Sequence, residues 1–205
     1  MMRRQRAVPL RQLGLATAWI LLAAGAQAAE RQLDLSPEST RVTFTLPATG
    51  HDVEGVFRLA KGWVRFDPAT GAATGEIVVD ATAGETGNKS RDKTMRQDVL
   101  EAARFPEIVL RIERIEGEVP ASGVGEFKLH GKVDLHGAQH PLTLAVKATI
   151  TGTHAAAEAT FPVPFLDWGM HDPSVMFLRV EPVVTVSVHA EGELHPAAVA
   201  AGGGR

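Results

Sequence analysis

From Glu126 to Ile150 apolar and polar side chains alternate along two successive arms. Phe127, Leu129, Gly131, Val133 and Leu135 share one face, against Glu126, Lys128, His130, Lys132 and Asp134 on the other. A period of two puts successive side chains on opposite faces of a strand. The second arm sets Leu142, Leu144, Val146, Ala148 and Ile150 against Thr143, Lys147, Thr149 and Thr151, after a break over residues 136–141. Two alternating arms around a short Gly-containing break predict an antiparallel hairpin. One face of it must meet an apolar interior and the other water, as in the wall of a barrel or sandwich.

Shorter alternations recur at intervals of about ten residues, the rhythm of an antiparallel all-β domain. Val42, Phe44 and Leu46 alternate with Arg41, Thr43 and Thr45. Val53, Gly55, Phe57 and Leu59 share a face, as do Val64 and Phe66 after Lys61-Gly62. Ile77 and Val79 stand against Glu76, Val78 and Asp80. Ile108, Leu110 and Ile112 alternate with Glu107, Val109, Arg111 and Glu113. Ala155, Ala157, Ala159, Phe161, Val163 and Phe165 follow, with Pro162 and Pro164 marking a strand edge or end. Val184, Val186, Val188 and Ala190 close the series. One stretch breaks the period: from Ser90 to Ala103, Met95 and Val99 or Leu100 fall on one side at helical spacing, with Ser90 as N-cap and Phe105-Pro106 as the stop. The expectation is roughly eight strands and one inserted helix in a single domain.

The chain's ends add a compartment. Arg3, Arg4, Arg6 and Arg11 precede an uncharged apolar run from Leu13 to Ala24, and Ala26-Gln27-Ala28 offers small residues where a signal peptidase acts. This predicts a cleavable secretory signal over residues 1–28, and a periplasmic or secreted product. An uncleaved anchor is the alternative, although the apolar run falls short of the ~20 residues that span a bilayer. Removing the signal takes four arginines from the 21 Lys and Arg and leaves 17 against 24 Asp and Glu, a formal charge of −7. With no long basic run left, nucleic acid is excluded as an expected partner. The chain has no Cys, hence neither a disulfide framework nor a lipidated cysteine. Residues 195–205, mostly Ala and Gly, are expected to be a disordered tail.

Candidate chemistry is thin. His130, His136 and His140 gather around the hairpin, but Lys128 and Lys132 share the face of His130 and the spacing matches no established zinc site. His51-Asp52 and His171-Asp172 pair an imidazole with a carboxylate only by adjacency, and neighbours along a strand point apart. No Gly-x-Ser-x-Gly elbow accompanies them. The expectation is a protein without catalytic residues, metal or resident cofactor, with a metal-dependent or histidine-based enzyme as the alternative.

The chain resembles the YceI-like proteins, exported or cytosolic lipocalin-like barrels associated with polyisoprenoid binding. The resemblance runs from about Leu33 to Leu194. It is carried by Gly55-Val56-Phe57, by Gly62-Trp63-Val64-Arg65-Phe66-Asp67-Pro68, and by Thr86-Gly87-Asn88 with Arg91-Asp92 opening the helix. Phe105-Pro106-Glu107-Ile108, Leu129-His130-Gly131, Leu135-His136-Gly137 and Phe165-Leu166-Asp167-Trp168-Gly169 complete it. The resemblance implies an eight-stranded antiparallel barrel over residues 29–194, with one helix and a long apolar tunnel that holds an isoprenoid chain such as a quinone tail or its precursor.

Eight strands enclose a space that side chains fill or that admits one slim ligand. The inward positions Phe44, Phe57, Phe66, Ile77, Val79, Ile108, Leu110, Phe127, Leu129, Leu144, Phe161 and Phe165 are the candidate ligand wall. Trp168, Met170, Met176 and Phe177 lie on a Gly- and Pro-containing loop and are either a plug or a flexible lid, and Trp168, Met170 and Met176 are counted with the ligand contacts. Arg91 and Asp92 are candidates for a structural pair or for contact with a ligand head group. A filled-core exported domain acting through surface protein interactions is the rival to the lipid-binding reading.

Overall fold

The computed structural model describes residues 30–197. The expected signal peptide and most of the expected tail lie outside them. Nine strands run in order: β1 (Arg31–Leu35), β2 (Arg41–Leu46), β3 (Val53–Phe66), β4 (Ala72–Glu85), β5 (Glu107–Glu116), β6 (Gly123–Leu135), β7 (Ala138–Thr151), β8 (His154–Val163) and β9 (Val184–Pro196). Consecutive strands from β2 to β9 pair antiparallel, and β2 pairs back onto β9. The result is a closed meander, the architecture that removes exposed sheet edges.

Nine strands make an eight-stranded barrel because β1 and β2 share one place in the wall. Both lie between β3 and β9: β2 pairs with Val53–Phe57 and Thr185–His189, while β1 pairs with Trp63–Phe66 and Gly192–Pro196. Ser36 and Thr40 bracket the gap, joined to each other through Thr40 N–H to Ser36 O (3.0 Å) and to β9 through Ser36 N–H to Glu191 O (2.8 Å). The β1 half carries too few alternating residues to stand out in the sequence. Strand β9 runs on through His195 and Pro196, past the expected start of the tail.

The apolar phase changes along β3, from odd positions up to Leu59 to even positions at Val64 and Phe66. A β-bulge between Leu59 and Lys61 accounts for it, since one inserted residue exchanges the faces. A second register shift between Ile112 and Arg114 does the same for Ile115 on β5. The long hairpin closes more tightly than expected. Its turn is His136-Gly137 alone, with φ of 54° and 78°, and β7 starts at Ala138. Positive φ at both central residues is the two-residue turn whose twist matches the strands it joins. On the outer face Val78 and Val109 oppose each other across β4 and β5 and are buried, not wetted, flanked by the ion pairs Lys61–Glu76 and Arg111–Asp134.

The helix also departs from expectation. It comprises α1 (Lys89–Thr94) and a π-helical turn (Met95–Val99), and ends at Leu100 rather than Ala103. The N-cap is Asn88, not Ser90: its side-chain oxygen accepts the N–H of Ser90 (3.0 Å) and of Arg91 (3.1 Å). Leu100 N–H reaches Met95 O at 2.9 Å, an i to i+5 bond that stacks Met95 and Leu100 on the same side. Glu101, with φ 45°, then stops the helix, and its carbonyl accepts from Arg104 and Phe105.

Candidate functional site

The meander sends its connections alternately to the two ends. The β3–β4, β5–β6 and β7–β8 turns lie at one end, where Leu33, Phe66, Ile115, Ile150 and Leu194 pack together and close the floor. The helix, the His136-Gly137 turn, the β2–β3 turn and the long β8–β9 connection meet at the other. Between them lies a cavity of ≈ 690 Å³, within the range of small-molecule sites. The barrel is hollow rather than filled by its own side chains.

The structure places Phe44, Phe57, Phe66, Ile77, Val79, Ile108, Leu110, Phe127, Leu129, Leu144, Phe161 and Phe165 on this cavity wall. Trp168 and Met170 are there too. The wall also takes side chains not singled out from the sequence as ligand contacts, among them Val146, Val188 and Leu59. They carry the same apolar alternation as the positions named from the sequence. Small residues leave the space: Ala148, Ala157 and Ala190 stand directly opposite one another on β7, β8 and β9, with Ala155 and Ala159 alongside on β8. From the helix, Met95, Val99 and Leu100 close over the mouth.

The β8–β9 connection divides in two. Phe165 and Met170 are buried against Leu100, Ala102 and Leu135, and Trp168 stacks on His140 with ring centroids 4.1 Å apart. This part is a packed plug at the mouth. Met176 and Phe177 are not part of it: they stand exposed, and Met176 is absent from the wall.

Polar groups gather at the mouth, where Thr49, His51, Thr86, Asn88, Ser90, Arg91 and Arg179 border the cavity, while along the wall Thr40 and Glu158 interrupt an otherwise apolar lining. Arg91 and Asp92 do not bond each other; both converge on Thr86. The Arg91 guanidinium donates to Thr86 Oγ1 (2.9 Å) and to Thr86 O (3.0 Å). Asp92 Oδ1 accepts from the Thr86 hydroxyl (2.6 Å) and the Thr86 N–H (2.7 Å). Asp92 is 8% exposed and does not border the cavity, so only Arg91 of the two stands where a head group would lie. The hydrogen bond from the Thr86 hydroxyl, helped by the Thr86 amide and by Arg96 and Arg91, holds the Asp92 carboxyl below the usual carboxylate range against its burial.

That lowering has a sign. A carboxyl whose pKa drops on folding stabilises the fold above its unfolded pKa, and this contribution drains away as pH falls through the lowered value. Asp92→Asn is expected to reduce the melting temperature by several degrees at neutral pH. The gap to wild type should narrow as pH drops from about 5 to about 3. Thermal melts across that range check it; a gap constant with pH would show that the charge on Asp92 contributes nothing.

The three hairpin histidines are engaged separately. His130 meets Glu116 (2.9 Å) and Thr143 (3.0 Å), His136 meets Glu101 (3.2 Å), and His140 lies under Trp168. Asp172 accepts the N–H of Ser174 (2.8 Å). Among the described residues no cluster of three or more His, Asp or Glu could hold a metal ion, and no helix is long and apolar enough to cross a membrane.

The fold has solved relatives. It superposes on Burkholderia cenocepacia BcnA with a TM-score of 0.66 at 18% identity, covering 78% of this chain and 99% of that one. A polyisoprenoid binding domain from Saccharophagus degradans, implicated in plant cell wall breakdown, gives 0.61 at 14% identity over 78% and 97%. A Campylobacter jejuni YCEI protein gives 0.54 at 14% identity over 70% and 85%. No curated protein sequence matches the chain significantly. The model of the YceI-like domain matches residues 33–192. With that match spanning most of its length, on a barrel of the same build, this chain belongs to the YceI-like family.

Proposed function

We propose that this protein is an exported, non-catalytic carrier or store that holds one long apolar chain of isoprenoid type inside its barrel. The observation that carries the reading is the ≈ 690 Å³ interior, lined mostly by apolar side chains, with most of its polar groups at the mouth. Taking the ~30 Å³ of one water molecule in the liquid as the share of one heavy atom, it has room for about twenty heavy atoms. That is roughly four isoprene units. Each buried methylene contributes ~0.8 kcal/mol, so a five-carbon unit offers about 3 to 4 kcal/mol before losses. Four units offer about 12 to 16 kcal/mol, which reaches the roughly 8 kcal/mol of a micromolar complex when association and ordering cost about 4 to 8 kcal/mol. No charged anchor is needed. A head group would rest at the mouth beside Arg91, Arg179 and His51, outside the apolar part.

The ligand class draws support from the Saccharophagus degradans relative, described as a polyisoprenoid binding domain, and the compartment from the N-terminal arginines and apolar run. Mass spectrometry of organic extracts from gently purified protein tests the reading. A polyprenyl compound at near-stoichiometric amount is the expected result; repeated extracts free of any lipid would end it.

A further inference from the structure

Among the described residues, four large hydrophobic side chains stand exposed in succession: Val175, Met176, Phe177 and Leu178, with Met176 86% and Phe177 87% exposed. Apolar side chains on a protein surface are ordinarily scattered singly. These four form the tip of the β8–β9 connection, a tight turn closed by Val175 N–H to Leu178 O (3.0 Å) and Leu178 N–H to Val175 O (2.8 Å). Met176 takes a φ of 48° there, in the left-handed region that such a residue seldom enters. The stem is tied down. Val180 bridges to Ala48, Thr49 N–H reaches Arg179 O (2.8 Å), Glu181 N–H reaches Pro47 O (2.9 Å), and Ser174 Oγ accepts the N–H of Val180 (3.1 Å). An apolar head on a tethered stem is a projection of fixed direction.

Its position gives the projection a purpose. Val175 and Leu178 border the cavity mouth although each is more than half exposed, so one apolar surface runs from the interior over the rim to the tip. We propose that this tip inserts into the boundary between head groups and acyl chains of a phospholipid bilayer and sets the cavity mouth against the membrane. The purpose rests on the lipid-binding reading: a chain passing from bilayer to barrel over this rim avoids water. The tip fits a bilayer better than a protein surface. A stable protein interface needs roughly 800 Å² per partner, more than one turn supplies, whereas an interfacial anchor needs only a few side chains at a depth of ~5–10 Å. Charge is not the attraction, because both signs surround the rim: Arg91, Arg179 and His51 border the mouth, and Asp52, Asp172 and Glu181 stand on the same loops.

The test is flotation of the purified protein with vesicles of phosphatidylethanolamine and phosphatidylglycerol that contain no isoprenoid. The wild type should float with the vesicles, and raising salt to roughly 0.5 M should change this little. The double variant Met176→Ser/Phe177→Ser should bind about tenfold less or worse. Both side chains are too exposed for the change to unfold the barrel, and mass spectrometry should find its interior chain, loaded from detergent, undiminished. A wild type that stays with the soluble fraction, or a double variant that floats equally well, overturns the proposal. A dimer in sedimentation that the double variant loses overturns it in favour of a second copy. Failure to float with lipid-filled extracts would sink the docking alone, whereas flotation with persistently empty extracts would sink the lipid reading and leave the docking in place.

Discussion

Replacing Ala157 with tryptophan should abolish the lipid retention proposed for the barrel while leaving it folded. Ala157 lies between Ala148 and Ala190 in the ladder, on the part of the wall where three adjacent strands present only a methyl group to the cavity. An indole there extends into open space and takes the volume of several methylenes of ligand. Two lost methylene contacts already amount to about 1.6 kcal/mol, a factor of more than ten. Retained polyprenyl in organic extracts should therefore fall by about tenfold or more, with the melting temperature unchanged or raised. In a filled core the same insertion would cost roughly 1–3 kcal/mol. An Ala157→Trp protein that melts early yet still carries its chain would show the alanine wall to be packed and the ligand to lie elsewhere.

The opposite pattern, a folding defect without any change in the cavity lining, is expected of Gly192→Ala. Gly192 sits on β9 opposite Leu35, where β1 ends and its place in the wall begins to pass to β2. A Cβ at this position would come within 2.1 Å of Asp34 O and 3.0 Å of Leu35 Cα. These are backbone atoms, so no side-chain rotation relieves the overlap, and the strand must move. Glycine in a barrel strand marks this kind of close backbone approach. The cost is expected at about 3 kcal/mol, the upper end of overpacking penalties. Denaturant unfolding gives the number directly. A variant as stable as wild type would mean that β1 leaves β9 without penalty and that closure of the barrel does not depend on it.

Much of this architecture could be read from alternation alone, because strands with one dry face must repeat every two residues. The β6–β7 hairpin pairs Phe127 with Val146 and Leu129 with Leu144, side by side on the face that the pattern made apolar. Alternation failed where pairing, not polarity, decided the outcome. Strand β1 is five residues long and exists because β3 and β9 both extend beyond β2 and present free edges. Asn88 is the cap rather than Ser90 because the helix already starts at Lys89, so the Asn88 side chain is the one that meets the free amides of Ser90 and Arg91 just ahead of it. The wall residues were legible, since each lies on an inward phase. Their vacancy was not: a phenylalanine facing a void and one facing a neighbour look alike in sequence, and only the ladder brings Ala148, Ala157 and Ala190 into one row. Met176 was misplaced for a related reason, because loop residues carry no period from which a direction could be taken.

The closed floor gives the barrel a way to judge its guests by extent. With Leu33, Phe66, Ile115, Ile150 and Leu194 packed together at one end, a tail entering at the other would advance until it meets them. A guest shorter than the shaft forfeits dispersion contacts along the part it fails to reach, and any excess beyond the shaft's depth must trail outside. On the proposed function the barrel would thus act as a blind-ended gauge, graded in carbon atoms, and its discrimination among related molecules should follow their reach more than their chemistry.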